Sequence, residues 1–205
     1  MFFRLFLLFC LALAALPAQA KPAILVFGDS LSAGYGLPQR NGWVTLLERR
    51  LAADGYDYRV VNASISGETT VGGKNRINGT LRKHKPQIVI VQLGANDGLR
   101  GARITDIRRN LSAIVEISKG NGAKVLVVGM QIPPNYGPDY TIGFQAVFSE
   151  VARQHGAALV PFMLDGFAGN TSLFQHDGIH PNLEAQRLVL DNIYRHLQPL
   201  LSRPG

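Results

Sequence analysis

The sequence predicts an α/β protein: a three-layer α/β/α sandwich, flavodoxin-like, around a mainly parallel five-stranded sheet. Three observations carry this expectation. Short runs of branched apolar residues, at 24–27, 87–93 and 124–129 among others, alternate with longer segments whose apolar residues recur at helical spacing. The strongest run, centred on Ile88-Val89-Ile90-Val91, shows no polar alternation, as expected of a parallel strand covered on both faces. Polar, glycine-bearing loops follow the strands, so the chain reads as βαβ units joined by right-handed crossovers.

In order, residues 24–27 form the first strand and deliver Gly28-Asp29-Ser30-Leu31-Ser32 at its carboxyl end. Trp43, Leu46, Leu47 and Leu51 make residues 42–53 an amphipathic helix, which Gly55 ends. Residues 58–63 are the second strand, and Ser64-Ile65-Ser66-Gly67-Glu68-Thr69 is the loop after it. Val71, Ile77 and Leu81 mark a weaker helix that runs to Lys83. The third strand, 87–93, leads into Gly94-Ala95-Asn96-Asp97-Gly98. Ile104, Ile107, Leu111, Ile114 and Val115 stripe the next helix, and Gly120-Asn121-Gly122 closes it. Residues 124–129 are the fourth strand, followed by a proline-stiffened loop from 133 to 138. A helix carrying Phe144, Val147, Phe148 and Val151 precedes a short fifth strand at 158–162. Residues 166–175 read as irregular, and Leu188, Val189, Ile193, Leu197 and Leu200 mark the last helix. No repeat, linker or low-complexity segment divides residues 21–205, which are expected to form one domain.

Residues 1–20 have the form of a secretory signal peptide: a positive start at Arg4, an apolar run from 5 to 16, and Ala18-Gln19-Ala20 before the expected cut. That run is shorter than the roughly 20 residues a spanning helix needs, so no stable membrane insertion is expected. The implied location is periplasmic, or secreted beyond it. A chain from Lys21 onward is long enough to bury about 70% of its unfolded surface in one core. The only cysteine, Cys10, leaves with the signal peptide, so the core and not a disulfide must hold the fold. The formal charge of +7 is scattered, and its one dense run, Arg82-Lys83-His84-Lys85, suits a solvated helix end better than a nucleic-acid site. No nucleic-acid partner is expected.

Ligands of open α/β sheets bind beyond the carboxyl ends of the strands, and Ser30 stands at such an end. Asp177 and His180, three residues apart, are within reach of one another in a turn, and Pro181 sets His180 at the entrance of the last helix. A carboxylate on one imidazole nitrogen leaves the other free to take a serine proton, the logic of a Ser-His-Asp triad. Two other readings remain open for this segment. Asp177 is a helix cap beside a surface histidine, or His176, Asp177 and His180 form a metal site, although Gly178 and Pro181 oppose the continuous helix that would align the histidines. Attack by Ser30 on an acyl carbon needs donors for the resulting oxyanion, each worth about 2.7–4 kcal/mol. The backbone N–H groups of Ser30 and Gly67 and the side-chain amide of Asn96 are available; taken singly, each also suits an ordinary turn. Asp29 and Asp97 adjoin these loops and read as residues that order them.

Gly28-Asp29-Ser30-Leu31-Ser32, Ile65-Ser66-Gly67-Glu68-Thr69, Gly94-Ala95-Asn96-Asp97 and Asp177-Gly178-Ile179-His180-Pro181 resemble, in order, the four blocks of the SGNH hydrolases, the GDSL-type esterases and lipases. Asn62-Ala63-Ser64-Ile65-Ser66-Gly67 and Asn96-Asp97-Gly98-Leu99-Arg100-Gly101 look like the thioesterase I type of bacterial periplasmic esterase within that family. The resemblance implies Ser30 as nucleophile, His180 as base, Asp177 as its orienter, and Ser30, Gly67 and Asn96 as oxyanion donors. It implies hydrolysis of fatty acyl and aryl esters, thioesters and lysophospholipids, with no cofactor and no metal. Ser32 stands where a Gly-x-Ser-x-Gly elbow requires its second glycine, which argues against the α/β-hydrolase fold. Leu99, Ile132, Pro133 and Tyr136, in loops after two strands, are candidates for an acyl groove, and the protein is expected to be a monomer. A metal-dependent phosphoesterase and a non-catalytic anion-binding module are the rival classes.

Overall fold

A five-stranded sheet organises the chain, for which a computed structural model describes residues 21–203. The expected signal peptide, residues 1–20, lies outside the described residues. Strands β1 (Ala23–Gly28), β2 (Arg59–Asn62), β3 (Ile88–Gln92), β4 (Lys124–Val128) and β5 (Ala158–Val160) lie in the order β2-β1-β3-β4-β5. All four pairings are parallel. Every residue of β1 and β3 is buried, which accounts for their lack of polar alternation. β5 stops at Val160, because Pro161 has no N–H to extend the ladder.

Seven helices follow the described chain: α1 (Ser30–Ala33), α2 (Trp43–Ala53), α3 (Thr70–His84), α4 (Ala95–Leu99), α5 (Ile104–Gly120), α6 (Pro138–His155) and α7 (Gln186–Leu197). α3, α5 and α6 pack side by side against β1, β3 and β4, while α2 and α7 pack together against the sheet's other side, completing the three layers. α1 and α4, read from the sequence as turns, have four and five residues, too few to display a period.

Two apolar residues depart from their expected stripes. Val71 is 49% exposed because α3 approaches the sheet through Gly73, where an added Cβ would lie 2.5 Å from Leu93 Cδ1, and through the buried Ile77 and Leu81. Position 71 is about 200° around the helix from 73 and therefore faces outward. Leu188 is 40% exposed, since α7 turns Val189, Ile193 and Leu197 inward instead. The buried Gln186 at its start donates to Pro181 O at 3.1 Å and accepts from Trp43 N at 3.0 Å.

The sheet order positions the site. From β1 the chain first adds β2 on one side, then returns to add β3 on the other, so the strand order reverses between β1 and β3. The register pairs Gly28 with Gln92, which brings the carboxyl ends of those strands level and opens a crevice between the loops that follow them.

Lys85 is the one described non-glycine residue with positive φ, at 44°, where it ends α3 and donates its N–H to Leu81 O at 2.8 Å. A side chain in this conformation costs about 1–2 kcal/mol, partly offset by glycine's greater freedom in the unfolded chain. Lys85→Gly should therefore stabilise the protein by about 0.5–1 kcal/mol, seen as a rise of about 1–3 °C in Tm by calorimetry.

Candidate active site

Ser30 owes its place to Asp29. β1 ends at Gly28, Asp29 remains extended, and its Oδ1 accepts from Leu31 N at 3.0 Å, capping α1 so that Ser30 becomes the helix's first residue. Behind the serine lies a buried polar network built on Gln92. Gln92 Nε2 donates to Asp29 Oδ1 at 3.0 Å, and its Oε1 accepts from Ser32 Oγ at 2.6 Å. A Cβ on Gly28 would fall 2.7 Å from Gln92 Oε1 and 2.9 Å from Ser32 Oγ, so the network leaves room only for glycine. Ser32, in the position that excluded the other hydrolase motif, is thus a buried structural hydroxyl.

Asp177 and His180 meet Ser30 from a loop almost 150 residues away. His180 Nε2 lies 2.8 Å from Ser30 Oγ, and His180 Nδ1 lies 2.7 Å from Asp177 Oδ2. An ionised carboxylate only accepts, so Nδ1 carries the proton and Nε2 is free to accept from the serine hydroxyl. Asp177 Oδ1 is held by the backbone N–H groups of Ile179 and His180, at 2.9 and 3.0 Å, which folds the segment into a tight Asx turn. Burial pushes the Asp177 carboxyl up, but these N–H groups and the imidazole together outweigh it and hold the group at about 2. It is therefore ionised at neutral pH. Asp29 moves the other way: burial raises it to about 6 against the opposing bonds from Gln92 and Leu31. Its Oδ2 has no partner.

The two remaining loops are tied to the first and to each other. Ile65 N donates to Gly28 O at 3.0 Å, carrying the β2 loop to the end of β1, and Gly67 takes φ +78°, a conformation suited to glycine. Asn96, near the start of α4, donates from Nδ2 to Glu68 O at 3.0 Å. Asp97 accepts from Thr70 N at 2.9 Å and Thr70 Oγ1 at 2.6 Å, which locks α4 to the start of α3. Glu68 pairs with Arg76, whose guanidinium lies 3.8 Å from the centre of the Phe27 ring. All four sequence-predicted loops are joined by direct hydrogen bonds.

Among the groove candidates, Tyr136 Oη donates to Leu99 O at 2.8 Å, joining the loops after β3 and β4, and Pro133 is exposed beside it. Ile132 is 9% exposed and belongs to the core, where its Cγ2 would lie 2.9 Å from a Cβ on Gly98. Gln92, Tyr35 and Gln175 are site residues that sequence reasoning missed. A glutamine ending an apolar strand was a usable signal for the first; the other two carry none. Among the described residues, no three His, Cys, Asp or Glu side chains gather closely enough to hold a metal.

A hydrogen-bonded serine, imidazole and carboxylate at the switch point of a parallel α/β sheet is the arrangement of a serine hydrolase. Residues 26–188 match the model of the GDSL-like Lipase/Acylhydrolase family. The chain belongs to this family. It is 50% identical over 193 residues to Esterase TesA of Pseudomonas aeruginosa, covering 94% of this chain and 96% of that protein. It is 37% identical over 192 residues to Thioesterase 1/protease 1/lysophospholipase L1 of Escherichia coli, covering 94% and 91%. The crystal structure of the psychrotrophic esterase EstA from Pseudoalteromonas sp., inhibited by monoethylphosphonate, superposes with a TM-score of 0.83 at 40% identity, covering 87% of this chain and 98% of that one.

The raised Asp29 makes a stability prediction. Unfolded, its carboxyl loses its proton near 3.9; folded, it does so at about 6. Between these values the folded state binds more protons, so the contribution of Asp29 to stability falls as pH rises from about 4 to about 6 and stays lost above that. The depressed Asp177 acts below this window. Urea unfolding of Asp29→Asn should show the stability difference from wild type moving in the variant's favour by roughly 2–3 kcal/mol between pH 4 and 7.

Proposed function

We propose that this chain is an exported serine esterase. In this reading His180 takes the Ser30 proton as Oγ attacks an ester or thioester carbonyl, and the imidazolium is held by the ionised Asp177. Negative charge on the former carbonyl oxygen is met by the N–H groups of Ser30 and Gly67 and the amide of Asn96. Collapse breaks the acyl bond, the departing alcohol or thiol takes the proton from Nε2, and water repeats the sequence on the acyl-serine to release the acid. The observation that carries the reading is the relay itself, with Ser30 Oγ at 2.8 Å and Asp177 Oδ2 at 2.7 Å from the two nitrogens of one imidazole.

The chemistry requires no cofactor and no metal. The substrates are acyl and aryl esters, thioesters and lysophospholipids, a range supported by the names of the relatives, and in this reading Leu99, Pro133 and Tyr136 contact the acyl group. Ile132 would act from beneath, setting the position of Gly98. The domain acts from residue 21 onward, after removal of residues 1–20, in the periplasm or outside the cell, as a monomer.

A fluorophosphonate probe should form a single adduct, mapped to Ser30 by mass spectrometry and unchanged by EDTA. Ser30→Ala should lose both the adduct and p-nitrophenyl ester hydrolysis. A well-folded wild type that takes no label, or an activity that EDTA abolishes, would overturn the serine mechanism. Asn96→Ala should keep Ser30 in place yet lower kcat by about 100-fold or more, since one oxyanion donor contributes on that order.

A further inference from the structure

We propose that Tyr35 is a positioning residue for His180: its ring fixes the plane of the imidazole and lies against it where positive charge forms during acyl transfer. The inference rests on the serine-esterase reading and extends it to a residue outside the four loops.

The two hydrogen bonds to His180 run from Nδ1 to Asp177 and from Nε2 to Ser30. Two points define a line, so these bonds leave the ring free to rock about the axis through its nitrogens. A contact on the ring's face removes that freedom, and Tyr35 makes it, with ring centroids 4.6 Å apart and planes 37° from parallel. Tyr35 is 53% exposed, too open to be held there by core burial. Its backbone holds it. Tyr35 N donates to Ser30 O, and Tyr35 O accepts from Gln175 Nε2 at 2.8 Å. Gln175 also donates from its own N to His180 O at 2.8 Å and from Nε2 to Pro181 O at 3.3 Å. One glutamine thus stitches the segment after the serine to the segment bearing the histidine. Gly34 and Gly36, at φ +78° and +72°, turn the chain on either side of Tyr35. A Cβ on Gly36 would lie 2.1 Å from Gln175 Oε1, so glycine there is a condition of the stitch.

The same contact has an electrostatic effect. The imidazole becomes an imidazolium when it takes the serine proton, and again when it takes a proton from water in the second half of the reaction. The negative face of an aromatic ring attracts a cation even at an exposed site, an effect that grows as charge develops. Because His180 charges in both half-reactions, both should slow alike when the ring is lost, which lowers kcat while leaving KM nearly unchanged.

The test compares wild type, Tyr35→Phe, Tyr35→Leu and Ser30→Ala on a short p-nitrophenyl ester, reading the single-turnover acylation rate, kcat, KM and Tm. Phenylalanine keeps the aromatic face, and leucine keeps apolar cover without it. Tyr35→Phe should stay within about two-fold of wild type, and Tyr35→Leu should lose about three- to ten-fold in both acylation and kcat with KM within two-fold. Wild-type rates in Tyr35→Leu would overturn the proposal. So would equal losses in both Tyr35 variants, which would assign the effect to the hydroxyl or the loop, or a change confined to KM, which would make Tyr35 a substrate wall. Ser30→Ala separates the two readings: hydrolysis surviving in that variant defeats the esterase mechanism, whereas its loss beside an unaffected Tyr35→Leu defeats only the role of Tyr35.

Discussion

The site depends on a carboxamide buried between two parallel strands. Gln92 ends β3 opposite Gly28, and its side chain bonds both Asp29 and Ser32, the residues on either side of the serine-bearing turn. A buried polar group without partners costs several times what a typical hydrogen bond contributes, so this group and its partners must stay together or the fold loses stability. The cost of misplacement is what holds Ser30 in position. The packing of Gly28 follows, since a side chain there would displace the amide.

Around that anchor, the loops are joined in pairs by bonds that bypass the serine. Asp97 holds the start of α3, Asn96 holds Glu68 O, and Gln175 spans the Tyr35 and His180 segments. Donors and acceptors fixed in this way need little rearrangement as charge develops, which is how an active site keeps its advantage over water. The pairing also explains why a site built from exposed turns can be rigid, for each turn ends on a buried strand or helix start.

Two carboxylates flank the histidine system, and their environments push them apart. Asp177 is partly open to solvent, accepts two backbone N–H groups and stays ionised far below neutral pH. Asp29 is fully buried, lacks a cation and retains its proton to about 6. Only the first is suited to steady an imidazolium across the neutral range. The second serves geometry, capping α1 and gripping Gln92, and the fold carries its desolvation cost.

Much of this was legible in the chain. Strand and helix identity rest on local periodicity, and β1, β3, β4, α2, α5 and α6 lie where their apolar patterns put them. The serine, histidine and aspartate were readable because glycine and proline punctuate their turns and because Asp177 and His180 are close in sequence. What lay beyond local pattern was decided by tertiary contact. Val71 and Leu188 fit a helical stripe, yet Gly73 and Gln186 settle which face turns inward. Ile132, read as a groove residue from its loop position, sits in the core.

Sequence by itself therefore determined the alternation of strands and helices and the types of residue at the strand ends, since both are set by neighbours within a turn or two. Tertiary structure alone decided that Gln92 grips Asp29, that Asn96 reaches Glu68, and that Tyr35 lies on the face of His180. These partners are 28 to 145 residues apart, a separation at which no periodicity survives. They meet because the parallel sheet brings the carboxyl ends of its strands to one edge, and the hydrogen bonds left unmade by any other arrangement would be lost in a buried place.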